Sequence, residues 1–232
     1  MRCEHGTDEL LNRNINYLVI HYTEWSSSRK GTAREVAEFF SMHALWVAAD
    51  FAVDDVEFVA YNPDFKNRYC HTVGDGTVRR GPAGGSLLGI ATDQNCINIE
   101  MCSSNVTGIM QLPNDPSYFL TEATRSNALM LARYLMNELD IDINHVIRHF
   151  DASGKPCPGI IGWNEITGDE SEWKRFKEDL AKQAFVPFEL GQCVSPRQRE
   201  DINLKEWDDP LVQALIDMDR GFTGRGNSDI QD

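Results

Sequence analysis

The sequence lacks any long apolar segment. None of its 232 residues belongs to an apolar run that approaches the roughly 18 residues of a membrane span. The first residues, MRCEHGTDELLNRN, also lack the apolar stretch of about 7–15 residues that a signal peptide contains. We therefore expect a protein that is made in the cytoplasm without a signal peptide and does not insert into membranes.

Basic residues are scarce as well. The chain has 22 Lys and Arg against 36 Asp and Glu, which gives a net charge of −14 at pH 7. A nucleic-acid-binding protein usually carries a basic patch or stripe, so we expect no nucleic-acid partner. An anionic polymer would have to be bound by a local groove, because the overall charge repels it.

Several common motifs are absent. The six cysteines form no CxxC pair, which argues against a zinc ribbon or a thioredoxin-like motif. No HExxH segment is present, so the common zinc peptidase arrangement is not expected. The glycine-rich segment Gly81–Gly89 lacks the Lys-Ser/Thr of a phosphate-binding loop. We expect most cysteines to be free thiols, while a Cys96–Cys102 disulfide stays open.

Hydrophobic periodicity predicts the secondary structure. Strands are predicted at 17–23, 49–54, 57–61, 96–103 and 146–150, and helices at 33–44, 121–139 and 170–183. The segment 62–76, with its proline and glycines, is predicted to be a loop. Strands that alternate with helices, together with one strand pair adjacent in sequence, indicate an α/β fold. We expect a single domain over residues 1–185, with a central mixed β-sheet flanked by helices and a site at the strand ends.

The composition changes after residue 185. Residues 186–232 are poor in apolar side chains and carry 10 acidic against 5 basic residues. Within them, DDPLVQALIDMD predicts one short helix, with Asp209 as its cap and Pro210 at its first position. We expect an acidic C-terminal extension that either packs on the domain or is partly disordered.

Three residues indicate a specific chemistry. His21 lies in YLVIHYT, His149 lies in VIRHFD, and Cys157 follows eight residues later in GKPCPG. Two imidazoles and a thiolate leave one position of a tetrahedral zinc ion for water, which is typical of a catalytic zinc site. Zinc lowers the pKa of such a water to about 7. A single strand histidine more often has a structural role, but packing alone hardly explains this combination.

Further candidates surround these ligands. Glu100 lies in the strand CINIEMC, where a carboxylate is costly unless it is paired, so we interpret it as a general base. A solvent-facing glutamate is the alternative. Lys155, two residues before Cys157, is either a solvated loop lysine or a group that stabilises an oxyanion. The candidate substrate-binding residues are His71, which a surface position would explain equally well, Asn98 and Arg148.

These segments resemble a known family. VIHYT with His21, INIEM with Glu100, and RHFDASGKPCPG with His149, Lys155 and Cys157 are similar to the type 2 N-acetylmuramoyl-L-alanine amidases. That superfamily includes phage lysozyme-type amidases, muropeptide-recycling amidases and peptidoglycan-recognition proteins. ADFAVDD, YNPDFKNRYC and CINIEMCS further resemble the amidase domains of Gram-positive, especially clostridial, phage endolysins and autolysins. The resemblance runs from about residue 17 to residue 173.

The resemblance implies zinc-dependent hydrolysis of the amide between N-acetylmuramic acid and L-alanine in peptidoglycan. The zinc ligands would be His21, His149 and Cys157. Glu100 would serve as the base, and Lys155 would polarise the scissile carbonyl or stabilise its oxyanion. The resemblance also implies a phage or prophage endolysin of a Gram-positive host, which acts at the cell wall after holin-dependent release.

One departure and two alternatives accompany this resemblance. The phage lysozyme branch has a Tyr-His pair in the strand after the first helix, whereas this chain has Ala48-Ala49-Asp50-Phe51 there. No tyrosine is present at that point, so the mechanism depends more on Glu100. A non-catalytic peptidoglycan-recognition protein is one alternative, although such members typically lack the cysteine ligand. An intracellular muropeptide-recycling amidase is the other.

Overall fold

The computed structural model describes residues 6–24, 32–42, 47–108, 111, 114–159 and 161–182. Within this part of the chain the strands are β1 (Thr7–Glu9), β2 (Tyr17–Tyr22), β3 (Phe51–Val53), β4 (Phe58–Ala60), β5 (Arg68–Cys70), β6 (Cys96–Met101), β7 (Ser104–Asn105), β8 (Tyr118–Phe119) and β9 (Val146–Arg148). The α-helices are α1 (Ala33–Met42), α2 (Glu122–Leu139), α3 (His149–Ser153) and α4 (Ser171–Lys182). Short 3₁₀ helices cover Asp93–Asn95, Ile143–His145 and Glu165–Thr167.

The main sheet is mixed. Its strand order among the described residues is β4-β3-β6-β2-β9. The strands β3, β6, β2 and β9 run parallel, and β4 pairs antiparallel with β3. The pair predicted at 49–54 and 57–61 is therefore present with shorter bounds. The predicted α/β fold, a central mixed sheet flanked by helices, is confirmed.

The central strands are buried on both faces. Leu18 and Ile20 of β2 belong to the main apolar core, whereas Val19 packs in a smaller cluster on the opposite side. This double burial is typical of parallel strands that are covered by helices. The helix α2 begins after Thr121, whose hydroxyl accepts a hydrogen bond from the Thr124 amide at 3.0 Å. It contributes several fully buried side chains to the main core, among them Leu131, Ala132 and Leu135.

Two predicted segments need correction. The predicted loop 62–76 contains β5, which pairs antiparallel with β1, because strands of three residues show too little alternation to be detected. The strand predicted at 146–150 ends at Arg148, and His149 already begins α3. The Asp151 carboxylate accepts a hydrogen bond from the Arg148 amide at 2.8 Å, which is the contact of a helix N-cap region.

Some predictions lie outside the described residues. These include the end of the first predicted helix at residues 43 and 44, residue 183, and the whole C-terminal extension 186–232. The open question of a Cys96–Cys102 disulfide is settled, because both are buried free thiols. Among the described residues, no helix has both the length and the apolar character that crossing a membrane requires.

Candidate metal centre and active site

The candidate site lies at the carboxyl ends of neighbouring parallel strands. His21, near the end of β2, is directly opposite Glu100 of β6 in the strand register. On the other side of β2, Ile20 is opposite Arg148 of β9, so the next residue, His149, follows beside His21. Because these strands end at the same edge of the sheet, the fold brings together residues that are far apart in sequence.

A chain reversal after α3 returns Cys157 to this edge. The helix ends at Gly154, whose φ of 82° lies in the left-handed region that glycine adopts without strain. A Cβ added there would lie 2.6 Å from the Ala83 carbonyl oxygen, so a larger residue has no room. Beyond the reversal, the Phe150 amide donates a hydrogen bond to the Cys157 carbonyl at 2.9 Å. This bond holds the segment that carries the thiol.

The three predicted ligands converge on one point. Nδ1 of His21 lies 3.1 Å from Nδ1 of His149 and 3.7 Å from Sγ of Cys157. The three ligand atoms all lie within 4.8 Å of one another, and the side chains are buried. Around a tetrahedral zinc ion with bonds of about 2.0–2.3 Å, neighbouring ligand atoms are roughly 3.3–3.6 Å apart. The two measured separations are close to that spacing.

Burial keeps these three groups uncharged. It lowers the pKa of His21 to about 3, although a hydrogen bond with Asn98 acts in the opposite direction. Burial also lowers the pKa of His149 well below its ordinary value and raises the pKa of the Cys157 thiol. Neutral imidazoles offer their lone pairs to a cation, and a thiol in such surroundings ionises when a cation lies beside it. Two nitrogens and one sulfur are a donor set that fits zinc with one position left open.

Glu100 provides a carboxylate next to the ligands. Its side chain is partly buried, and burial raises its pKa to about 7, against the lowering effect of Lys155. The Oε2 atom is buried and has no hydrogen-bond partner among the described residues. A carboxyl group with a pKa close to the working pH can both accept and return a proton.

Lys155 places a positive charge at the same edge. It acts on all three ligands and on Glu100, lowering the pKa of each. Its side chain is partly buried, and its carbonyl accepts a hydrogen bond from the Cys157 amide at 2.7 Å. A cation in this position is suited to stabilise negative charge that develops on a substrate oxygen.

Two of the three candidate substrate contacts, Asn98 and Arg148, are buried and have protein partners. Asn98 is fully buried behind His21, with Oδ1 3.0 Å from the imidazole Nε2. Arg148 is also buried, and its guanidinium pairs with Asp151 at 2.7 Å and Glu170 at 2.6 Å. Neither side chain is exposed for the substrate contact that the sequence suggested. Protein groups hold the polar atoms of both side chains, and a substrate contact by either one stays a prediction.

His71 has a different environment. Its Nε2 lies 3.1 Å from Asp8 and its Nδ1 lies 3.6 Å from Asp93, and the hydrogen bond with Asp93 raises its pKa despite partial burial. The ring packs edge-on against Tyr69. A substrate contact for His71 stays a prediction.

Sequence reasoning missed two carboxylates. Glu24 lies two residues after the end of β2 and raises the pKa of both Glu100 and Cys157, so its charge lies near the site. Asp50 is fully buried and accepts hydrogen bonds from Asn98. Its signal was present in the sequence, since an aspartate inside the apolar run AADFAV has to be paired.

Two histidines, a cysteine and a glutamate that meet at the carboxyl edge of a mixed sheet are the arrangement expected of a type 2 amidase. The chain belongs to the Amidase_2 family, described as N-acetylmuramoyl-L-alanine amidase, whose sequence profile matches residues 11–160. The resemblance derived from the sequence motifs is thereby confirmed, as is the class of enzyme.

Individual relatives agree with this assignment. The chain is 25% identical over 212 residues to N-acetylmuramoyl-L-alanine amidase CwlH of Bacillus subtilis, covering 90% of this chain and 74% of that protein. It is 29% identical over 170 residues to N-acetylmuramoyl-L-alanine amidase XlyB of the same organism, covering 73% of this chain but 43% of XlyB. The solved catalytic domain of XlyA has a similar fold, with a TM-score of 0.52, 21% identity, and coverage of 76% of this chain and 93% of that domain.

Proposed function

We propose that this chain uses zinc to hydrolyse the amide bond between N-acetylmuramic acid and L-alanine in peptidoglycan. The observation that carries the proposal is the convergence of His21, His149 and Cys157 beside Glu100. Family membership supports the substrate, and the uncharged nitrogen and sulfur donors support the metal.

Each side chain at the candidate site has a separate role in the proposed reaction. Bound zinc would supply a Lewis acid that activates water and polarises the scissile carbonyl. Glu100 accepts a proton from the attacking water, because its Oε2 is otherwise unpartnered among the described residues. The same carboxyl group returns that proton to the amine of L-alanine as the carbon–nitrogen bond breaks. Lys155 stabilises the negative charge on the carbonyl oxygen.

We further infer a biological role as a phage or prophage endolysin that lyses a Gram-positive host. In this role the enzyme reaches the cell wall after holin-dependent release and acts on the muramyl stem peptide. The family profile supports the bond that is cut, and the amidase names of CwlH and XlyB from Bacillus subtilis support a Gram-positive wall.

The test is a digestion of Gram-positive cell walls by the purified full chain. One sample contains one equivalent of zinc, a second has been treated with a chelator, and mass spectrometry identifies the soluble products. We expect free stem peptides that begin with L-alanine, and only in the presence of metal. His149→Gln should abolish their release, whereas His145→Gln, at an exposed position nearby, should not. Wall binding without peptide release in either sample would contradict the amidase and favour a recognition protein.

A further inference from the structure

A buried polar chain extends from His21 away from the ligand cluster. The Nε2 atom of His21 lies 3.0 Å from Oδ1 of Asn98. The amide Nδ2 of Asn98 then donates to Oδ2 of Asp50 at 3.0 Å, and the backbone amide of Asn98 donates to the same oxygen at 2.8 Å. Asp50 and Asn98 are fully buried and His21 is 1% exposed.

The fold explains why these three residues meet. Asp50 immediately precedes β3, and Phe51 of that strand is in register with Ile99 of β6, so Asp50 lies beside Asn98. On the next strand, Val19 of β2 is in register with Asn98, two positions before His21. The imidazole of His21 on β2 therefore lies against the side-chain amide of Asn98 on the neighbouring strand β6.

The hydrogen bonds that connect Asp50, Asn98 and His21 have only one consistent set of donors and acceptors. Asp50 receives N–H donors from the backbone and side chain of Asn98 and from Nδ2 of Asn62 at 2.8 Å, so its carboxylate acts as an acceptor. The amide nitrogen of Asn98 must then face Asp50, which leaves its oxygen facing His21. That oxygen accepts a hydrogen bond, so Nε2 of His21 has to carry the proton. The Nδ1 lone pair is left pointing at the ligand cluster.

We propose that Asp50 and Asn98 are positioning residues that fix the tautomer of His21 for metal binding. The inference rests on the proposed zinc function. In metal sites, a group that hydrogen-bonds the second nitrogen of a ligand histidine fixes its tautomer and orientation. Here the carboxylate acts one residue further away, through the amide of Asn98. His149 offers a contrast, because its Nε2 is buried without a hydrogen-bond partner among the described residues.

The test compares two isosteric substitutions at opposite ends of β3. Asp50→Asn replaces a group that can only accept with an amide that can also donate, so the Asn98 amide can turn and His21 can take up the Nδ1–H form. Asp54→Asn is the matched control, because Asp54 is equally buried and accepts hydrogen bonds from the amides of Ala33, Val56 and Glu57. Heteronuclear NMR of the imidazole nitrogens in the metal-free full chain reports the tautomer, and competition with a chromophoric chelator reports the zinc affinity.

We expect wild type and Asp54→Asn to hold His21 in the Nε2–H form with the same zinc affinity. Asp50→Asn should populate the Nδ1–H form and bind zinc about 10–100-fold more weakly. The double variant Asp50→Asn/Asn98→Asp should restore both readouts, since it places a carboxylate oxygen, which can only accept a hydrogen bond, against Nε2 of His21. A merely structural role would leave the tautomer unchanged.

The outcomes separate this inference from the proposed function. If Asp50→Asn matches Asp54→Asn in both tautomer and affinity, the inference is wrong. Should Asp50→Asn fail to fold, a wild-type His21 in the Nδ1–H form would still overturn it. A wild-type chain that binds no zinc contradicts the proposed function. In that case the tautomer comparison in the metal-free protein still tests whether Asp50 and Asn98 fix the tautomer of His21.

Discussion

The two faces of the six-residue strand β6 differ in chemistry. Ile97, Ile99 and Met101 are fully buried in the main apolar core together with α2. Asn98 and Glu100 face the opposite side, where they lie next to the candidate metal ligands. One strand thus serves stability on one face and chemistry on the other. Substitutions on the apolar face should therefore change the free energy of unfolding, whereas substitutions on the other face should change zinc binding or turnover.

Individual buried groups on the two faces contribute differently to the free energy of folding. Full burial of a large aliphatic side chain stabilises the fold by about 1.5–3 kcal/mol. On the site face, Oε2 of Glu100 and Nε2 of His149 are buried without hydrogen-bond partners among the described residues. Each such atom costs free energy on folding. The site face therefore contains unsatisfied groups that the apolar face offsets.

The largest effect is expected at Cys157. Cys157→Ser should lose zinc and activity together, because a hydroxyl is a much poorer zinc ligand than a thiolate. We expect zinc affinity to fall by more than the roughly 100-fold that outer-shell changes produce. Cys102→Ser is the matched control, since Cys102 is a buried free thiol at the end of β6 that is not part of the ligand cluster. Retained zinc in Cys157→Ser, measured by metal analysis after gel filtration, would contradict the ligand assignment.

Glu100→Gln should separate metal binding from turnover. The variant keeps the shape of the side chain but cannot accept a proton, so we expect normal zinc content and a kcat reduced by about 10²–10⁴-fold. Burial raises the pKa of Glu100 to about 7, and the base must be ionised. The wild-type kcat/KM should therefore rise with pH, with its midpoint at or below about pH 7 because a bound cation lowers this pKa further, and it should level off above that midpoint. If the variant keeps this acidic limb, or most of its activity, Glu100 is not the base.

Ile99→Ala tests the apolar face of the same strand. Ile99 is in register with both Ile20 and Phe51, so truncation leaves a cavity at the centre of the core. We expect the free energy of unfolding to fall by about 2–5 kcal/mol. Urea denaturation measures this loss, and the zinc affinity of the folded fraction should stay at the wild-type value. A parallel loss of zinc affinity would show that the two faces are not separable.

The sequence was sufficient to predict the central strands and to single out the three residues whose side chains converge. Alternation in YLVIHYT and CINIEMC placed His21 and Glu100 correctly on their strand faces, because each pattern extends over a whole buried strand. The short β1–β5 pair could not be found, since three residues carry almost no periodicity. His149 was placed on a strand because its position at the start of α3 depends on the Asp151 contact.

The sequence could not predict which polar side chains pair with residues that are distant along the chain. Arg148, a predicted substrate contact, pairs with Glu170 and donates to the carbonyl of Trp163 at 2.8 Å. Asn98, another predicted substrate contact, connects His21 of β2 with Asp50, which precedes β3. Both are polar residues next to the candidate site. Only their tertiary contacts determine whether such a side chain faces a bound ligand or forms hydrogen bonds with the protein behind the site.

The smallest expected effect concerns His71, for which a structural and a substrate-binding role give different results. The hydrogen bond with Asp93 raises the pKa of His71 above its ordinary value of about 6.5. Its stabilising contribution is therefore complete below about pH 6.5 and is lost as the pH rises through the folded-state pKa. His71→Gln should lower the free energy of unfolding by up to about 1 kcal/mol at pH 5.5 and by less at pH 9.

Urea denaturation at the two pH values measures this difference, and His145→Gln serves as the control because that exposed ring packs on Tyr17 instead. Under the structural role, KM for peptidoglycan fragments stays at the wild-type value in His71→Gln, since Asp8 and Asp93 already engage both ring nitrogens. A raised KM with unchanged stability at pH 5.5 would instead assign His71 to the substrate groove and extend the functional surface from the strand ends to the β1–β5 pair.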